Sequence, residues 1–464
     1  MHRFQPTQAA LTIWIGFAFL FAGCADAPPV EPGLATLGAD AMDDDPETCG
    51  SCHQEQYEQW EGSMHAYSTR DPVFMAMMRK STADTQGKID QFCVNCHAPN
   101  ASKEGLTPVV QGEDGVFFMD VDQNDFRFSR GVQCTTCHRI KSVEATQNAE
   151  FTLSPFALQG PTGSPEANQY HPMEKSTFIG DNNQVSFMCG SCHDVQNPKD
   201  ARLEATFSEW YANSFNNPSD PSQHRSCVDC HMPTYEGKNS LGQDATLHRH
   251  TFVGVDQALV EDFPGKEEQA ALVEALLQDC AELKIQRTEN VGSDAAFRVS
   301  VKNINNGHNL PSGSTADRQV WVHLTITDSD GTLIYESGML DANGDLMDRV
   351  EGHSLDPFGD PDLLAFGQFL LDDQNEHVNF PWEASRFDDN LIGPGQTGWR
   401  EYLLPLSGIR GKNLTVKATL KYRTFPPFLL RKLVEEGWLD ASSMLEVPII
   451  EMETLEESFF IEAL

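Results

Sequence analysis

Cys49-Gly-Ser-Cys52-His53 recurs in form four more times along the chain: Cys93-Val-Asn-Cys96-His97, Cys134-Thr-Thr-Cys137-His138, Cys189-Gly-Ser-Cys192-His193 and Cys227-Val-Asp-Cys230-His231. These units use ten of the 12 cysteines. Two thiols about one helical turn apart can add to the two vinyl groups on one porphyrin edge, and the adjacent histidine then faces the iron as its proximal ligand. A single pentapeptide of this kind is compatible with half a zinc site or a redox-active Cys-x-x-Cys pair. Five copies, each with histidine directly after the second cysteine, point instead to covalent attachment of five c-type haems.

The segment that holds all five units, 48–265, gives each haem roughly forty residues, too few to wrap it in a separate hydrophobic core. The haems themselves must then form the core. The residues between the units are rich in Gly, Pro, Asn and Asp, which predicts many loops and few strands, with helices over Gln54–Arg79 and Leu203–Phe215. An internal repeat is visible. Cys-Gly-Ser-Cys-His opens both halves, at Cys49 and Cys189; Trp60 with Ser63 and Trp210 with Ser214 follow; Cys-Val-[Asn/Asp]-Cys-His closes them at Cys93 and Cys227, with the Cys134 unit in between.

On the N-terminal side, His2 and Arg3 precede an apolar run from Ala10 to Ala22 that is too short to span a bilayer, which reads as an export signal over 1–23. Phe21-Ala22-Gly23-Cys24 resembles a bacterial lipobox in which Cys24 is acylated, although Phe replaces the usual Leu; an ordinary signal peptide cut nearby is the alternative. Residues 24–47 are rich in Pro, Ala and Asp without apolar periodicity and read as a flexible, lipid-anchored tether. The protein is therefore expected to be exported and tethered at the outer membrane, periplasmic or surface-exposed. With 32 Lys+Arg against 69 Asp+Glu, the net charge of -37 excludes a nucleic-acid role.

On the C-terminal side, 266–464, a helix over Lys266–Leu283 gives way to alternation at Phe297–Val301, Val320–Ile326 and Thr332–Tyr335, the last after the turn Asp328-Ser-Asp-Gly331. Further strands are expected at Thr397–Pro405, Leu414–Tyr422 and Ser458–Glu462, with a short helix at Pro427–Glu436. The fold class is thus mixed: a loop-rich, mainly helical multihaem domain followed by an antiparallel β-sandwich. Cys280 reads as a buried thiol at a helix end. The acidic runs Asp341–Asp345 and Asp356–Asp362 carry oxygen ligands that suit Ca²⁺, but the first lacks the Gly and closing Glu of an EF-hand, and a solvated hairpin turn is the better reading.

The succession Cys49–His53, Tyr57-Glu-Gln-Trp60, Ser63-Met-His65-Ala66, Gly131-Val-Gln-Cys134, Gly160-Pro161 and Cys227–His231-Met232-Pro233 resembles the cytochrome c-554-type multihaem cytochromes, from Cys49 to about Val255. Gly307-His308-Asn-Leu-Pro311-Ser-Gly313 resembles a motif of the β domain attached to some relatives. The resemblance implies electron transfer between periplasmic or outer-membrane redox proteins, with some members acting on small nitrogen compounds at one open haem. This chain departs from the four attachment sites of c-554 by having five. It also has no Cys-x-x-Cys-Lys, the variant that marks the catalytic haem of pentahaem nitrite reductases.

Whether such a protein is a wire or an enzyme turns on the sixth position of each iron, which a second histidine fills and closes to substrates. Of 15 histidines, five are proximal: His53, His97, His138, His193 and His231. His2 leaves with the signal; His323, His353 and His377 read as strand or surface residues. Six candidates remain, His65, His171, His224, His248, His250 and His308. The His-Arg-His run contributes His250, whose His-Thr-Phe-Val-Gly segment resembles the family's distal-ligand motif, with His248 near a propionate. His224 lies three residues before Cys227 and cannot reach the opposite face of that haem, so it is expected to cap a different one. His65 lies about 18 Å along a helix from His53 and should likewise serve a neighbour. His308, between two expected strands in a loop stiffened by Gly307, Pro311 and Gly313, is assigned to cap a haem across the domain boundary, a plain turn histidine being the alternative. Electron transfer with mostly bis-histidine irons is the favoured function. An oxidoreductase with one open haem, or a structural subunit of an outer-membrane conduit, are the alternatives.

Cys24→Ser is expected to release the protein from the membrane fraction with its haem spectrum intact. Unchanged partition of that variant would point to another anchor.

Overall fold

The computed structural model describes residues 45–163, 170–356, 358–441 and 447–463. The expected signal 1–23, the lipidation residue Cys24 and the tether up to residue 44 lie outside the described residues. Asp43–Leu464 form one compact unit, of mixed helices and antiparallel sheets.

In place of one helix over 54–79 the chain forms three: Gln54–Glu61, Met64–Tyr67 and Pro72–Asp84. Local chemistry makes the breaks. Gly62 ends the first, the Ser63 hydroxyl caps the second, and the Asp71 carboxylate accepts the Val73 N–H at 2.8 Å with Pro72 in the first turn. The helix expected at 203–215 is likewise shorter, a strand at Arg202–Glu204 followed by a helix at Thr206–Tyr211. Strands are commoner here than the loop-rich composition predicts, since four antiparallel two-stranded pairs fold the connections back on themselves and a fifth, Leu158–Gly160 with Met173–Lys175, is parallel.

Beyond the helix Lys266–Gln278, whose Val273 and Leu277 are buried, the chain alternates as a half-buried sheet should. One antiparallel sheet joins Ala281–Arg287, Asp294–Asn303 and Thr397–Pro405. The other runs in the order Arg386–Asn390, Leu364–Leu371, Gln319–Asp328, Asn413–Arg423, Ile450–Phe460, with Leu333–Ser337 also on Gln319–Asp328. Phe297, Val299 and Val301 of the first sheet pack with Val322, Leu324, Leu414, Val416 and Leu420 of the second in one core. The last strand is longer than the expected Ser458–Glu462 because it pairs with almost all of Asn413–Arg423. Asp341 is a turn residue, its carboxylate accepting the N–H groups of Asn343 and Asp345 at 2.8 and 2.9 Å. Cys280 is half-buried just past the 266–278 helix, and burial pushes its thiol up to about 12.

The sandwich is bound tightly to the haem-attachment region. Leu429, Leu430 and Leu433 on the helix Pro427–Glu435 meet Val73 and Ala76 on Pro72–Asp84, with Phe380 and Leu259 alongside. Lys80, largely buried in this cluster, is held 3.0 Å from Asp84 and 2.6 Å from Glu436, with the Phe380 ring 4.7 Å from its ammonium. A buried ammonium with fewer partners would be costly. Leu433→Ala is expected to destabilise the mature protein by about 2–5 kcal/mol, read as a lower denaturation midpoint. An unchanged midpoint would mean that this cluster does not hold the two regions together.

Candidate haem-binding site

Each pentapeptide forms about one helical turn. The His53, His97 and His193 N–H groups donate to the Cys49, Cys93 and Cys189 carbonyls at 2.8, 3.2 and 3.0 Å, and the third and fifth units are the helices Cys134–Arg139 and Cys227–His231. Polar residues start those two helices: Thr136 Oγ1 accepts from the Gln133 N–H at 3.2 Å and Asp229 Oδ2 from the Ser226 N–H at 2.7 Å. No disulfide joins the described cysteines. Units far apart in sequence lie against each other: the thiols of Cys49 and Cys134 are within hydrogen-bonding reach, as are those of Cys189 and Cys227, and Cys96 Sγ is 4.0 Å from the Cys192 carbonyl oxygen.

Four of the pentapeptide histidines face a second histidine. Ring centres are 6.5 Å apart for His53 and His171, 6.3 Å for His65 and His193, 6.4 Å for His138 and His250, and 6.3 Å for His231 and His308. One metal bonded to both imidazoles at about 2 Å holds two ring centres roughly 6 Å apart, so these pairs fit an iron between them. Stacked rings would sit closer, as Phe74 and His97 do at 4.0 Å. Burial, then the opposing imidazole, push His65 down to about 3 and His250 and His308 to about 4. They are thus held neutral, the form that can ligate a metal.

The ring neighbour of His97 is Phe74, parallel within 10°, which fixes the imidazole plane. His224, expected as a distal ligand, is engaged otherwise: its Nε2 lies 3.0 Å from the Asn182 carbonyl oxygen, and its Nδ1 accepts the Asn217 N–H at 3.2 Å. A neutral imidazole has one donor and one acceptor, and both are used, so no lone pair is left for an iron. Of the His248/His250 run, His250 faces a proximal ring. His248 has its Nδ1 at 2.8 Å from the Met232 carbonyl and offers its own carbonyl to His250 Nδ1 at 2.9 Å.

The loop carrying His308 is seated by a residue the sequence reading missed. The Glu209 carboxylate accepts the Asn309 N–H at 3.0 Å, the Asn309 side-chain amide at 2.8 Å and the Ser312 hydroxyl at 2.8 Å, while the Gly313 N–H donates to Thr206 at 3.1 Å. Gly307 permits close approach: a Cβ there would lie 3.2 Å from both Trp210 and Phe215, and one of the rings would have to give by a few tenths of an ångström.

The repeat is real, but its register differs from the one read in the sequence. Trp60 Nε1 donates to the Val132 carbonyl at 2.8 Å and Trp210 Nε1 to the Arg225 carbonyl at 2.7 Å, each acceptor two residues before a cysteine unit. The Val132 N–H donates to the His65 carbonyl, and the Arg225 N–H to that of Phe215. Tyr57 and Phe207 cover Gly50 and Gly190 so closely that a Cβ would come within 2.7 and 2.3 Å of their rings. The Cys227 unit therefore corresponds to Cys134, not to Cys93, and His65 corresponds to Phe215.

Residues 48–139 match the family described as cytochrome c554 and c-prime. No curated protein matches the chain. Among solved structures, the penta-haem cytochrome c552 from Thermochromatium tepidum aligns over 91% of this chain and 99% of its own, at 21% identity and a TM-score of 0.62, which shows a shared fold. A protein from Archaeoglobus fulgidus aligns over 39% of this chain and 98% of its own at 11% identity, with a TM-score of 0.16 that carries no argument. The five cysteine–histidine units and the match over 48–139 support a multihaem c-type cytochrome, and the shared fold agrees with it.

Proposed function

We propose that this protein transfers electrons through five covalently bound c-type haems, exchanging them with redox proteins of an exported compartment. The four facing imidazole pairs carry this reading. A haem c supplies a one-electron iron couple, and the side chains decide what else its iron can do. Cys49 and Cys52, Cys93 and Cys96, Cys134 and Cys137, Cys189 and Cys192, and Cys227 and Cys230 are the attachment thiols. His53 with His171, His193 with His65, His138 with His250 and His231 with His308 would each hold one iron. An iron held by two imidazoles would have no position free for substrate. The nearness of Cys49 to Cys134, of Cys96 to Cys192 and of Cys189 to Cys227 supports short paths between adjacent centres. Lipid attachment at Cys24 and a place at the outer membrane complete the reading.

A second reading applies at one centre. His97 is covered on its ring face by Phe74 and does not share the 6.3–6.5 Å geometry of the other four. This favours one iron with a single imidazole, open to a small ligand such as a nitrogen oxide, within an otherwise closed set.

A pyridine haemochrome assay is expected to give five haems per chain, and the reduced protein to take up one carbon monoxide per chain. Uptake of none would remove the open centre. His308→Ala should raise uptake to two and convert one further iron from low to high spin, whereas His224→Ala should change neither. An unaltered spectrum in the His308 variant would take His308 out of the coordination sphere.

A further inference from the structure

The hydrogen bonds on the far nitrogens of the facing histidines are not alike. Four of these rings have their Nδ1 against a backbone carbonyl: Gln159 for His138 at 3.0 Å, Val253 for His231 at 2.6 Å, His248 for His250 at 2.9 Å and Asn309 for His308 at 3.2 Å. At His193 the partner is a carboxylate, Glu204 Oε1 at 3.2 Å.

Chain geometry puts it there. After His193 the backbone enters a short hairpin in which Val195 pairs with Glu204, and the Phe207 N–H returns to the His193 carbonyl at 3.0 Å. Glu204 therefore sits beside the ring it follows. Its side chain is 18% exposed, and Thr206 donates to the same Oε1 at 3.4 Å.

We propose that Glu204 is a positioning residue that sets the potential of the centre attached at Cys189 and Cys192. By accepting the Nδ1 proton of His193 it makes that imidazole a stronger electron donor to the iron. It thereby holds this centre at a lower potential than the three other imidazole-paired ones. The effect acts through the ligand's basicity and the fixed negative charge. A carbonyl, being a neutral and weaker acceptor, does not match it. The inference rests on the reading of His65 and His193 as the two ligands of one iron.

The test is a redox titration of the mature, haem-loaded Glu204→Gln protein, followed optically and by electron paramagnetic resonance. The amide keeps the size and an acceptor oxygen but removes the charge. Five haems and an unchanged set of low-spin signals are expected. One midpoint should rise by at least a tenfold change in its redox equilibrium constant, about 59 mV for one electron, and the other four by less. Glu204→Asp, which keeps the charge, should lie nearer the unmodified protein. Five haems with no midpoint moved tenfold would overturn the proposal alone. Four haems, or a high-spin signal that His65→Ala fails to increase, would overturn the ligand reading beneath it. If the Gln variant does not mature, near-infrared magnetic circular dichroism of the unmodified ferric protein decides. One low-spin charge-transfer band set apart at higher energy supports the proposal, and coincident bands overturn it.

Discussion

Two imidazoles can grip one atom only if their nitrogens are held a few ångströms apart, and in this protein the two always come from distant parts of the chain. His53 faces His171, His65 faces His193, His138 faces His250 and His231 faces His308. The segments between attachment units are too short to enclose separate cores. Crossed pairing fits this, because in four cases a distant segment brings a second imidazole to face the histidine of an attachment unit. The facing rings are carried by the surrounding framework: the broken helices at 54–84, the Trp60 and Trp210 hydrogen bonds that fix the approach of the next unit, and the hairpins that turn the chain between them.

The sandwich belongs to the same system of constraints. Its core would fold as an ordinary β domain, with Val322, Leu324, Val416 and Leu420 fully buried. Yet its loop 307–313 is tied by Glu209 to the helix Thr206–Tyr211, and its helix 427–435 packs on 72–84. Glu209 is raised above the usual carboxylate range by burial, with the Asn309 and Ser312 hydrogen bonds opposing. Such a carboxylate is tolerated because three donors from one loop satisfy it.

Much of this was legible in the residues, and the reasons for the failures are physical. Cys-x-x-Cys-His is a covalent requirement written locally, so its five copies stand out without any knowledge of the fold. Alternation placed the strands around 294–303, 319–328 and 397–405 because one face of each must be apolar. Distal partners are harder, since a ligand is defined by what it faces. His224 has the composition and position of a candidate, but Asn182 and Asn217 occupy both its nitrogens. The repeat was misregistered because Cys93 and Cys227 share Cys-Val-x-Cys, whereas the equivalence lies in backbone hydrogen bonds that tie Val132 to His65 and Arg225 to Phe215. Glu204 and Phe74 carry no spacing signal at all; only the hairpin at 195–204 and the helix at 72–84 bring them to their rings.

The loop that brings His308 to His231 has a consequence for how the molecule is assembled. Chains emerge N-terminus first, and local turns such as the cysteine units form long before an antiparallel sandwich, whose pairings link residues as distant as Ala281 with Asn303 and Gln319 with Arg423. The pocket beside His231 is the one of the four that a sandwich residue, His308, closes, whereas the other three pairs lie within residues 53–250. An opening of the β unit alone would uncover His231 and leave those three pairs in place. Amide exchange in the 281–460 strands and the chemical accessibility of His231 would then report a single cooperative event.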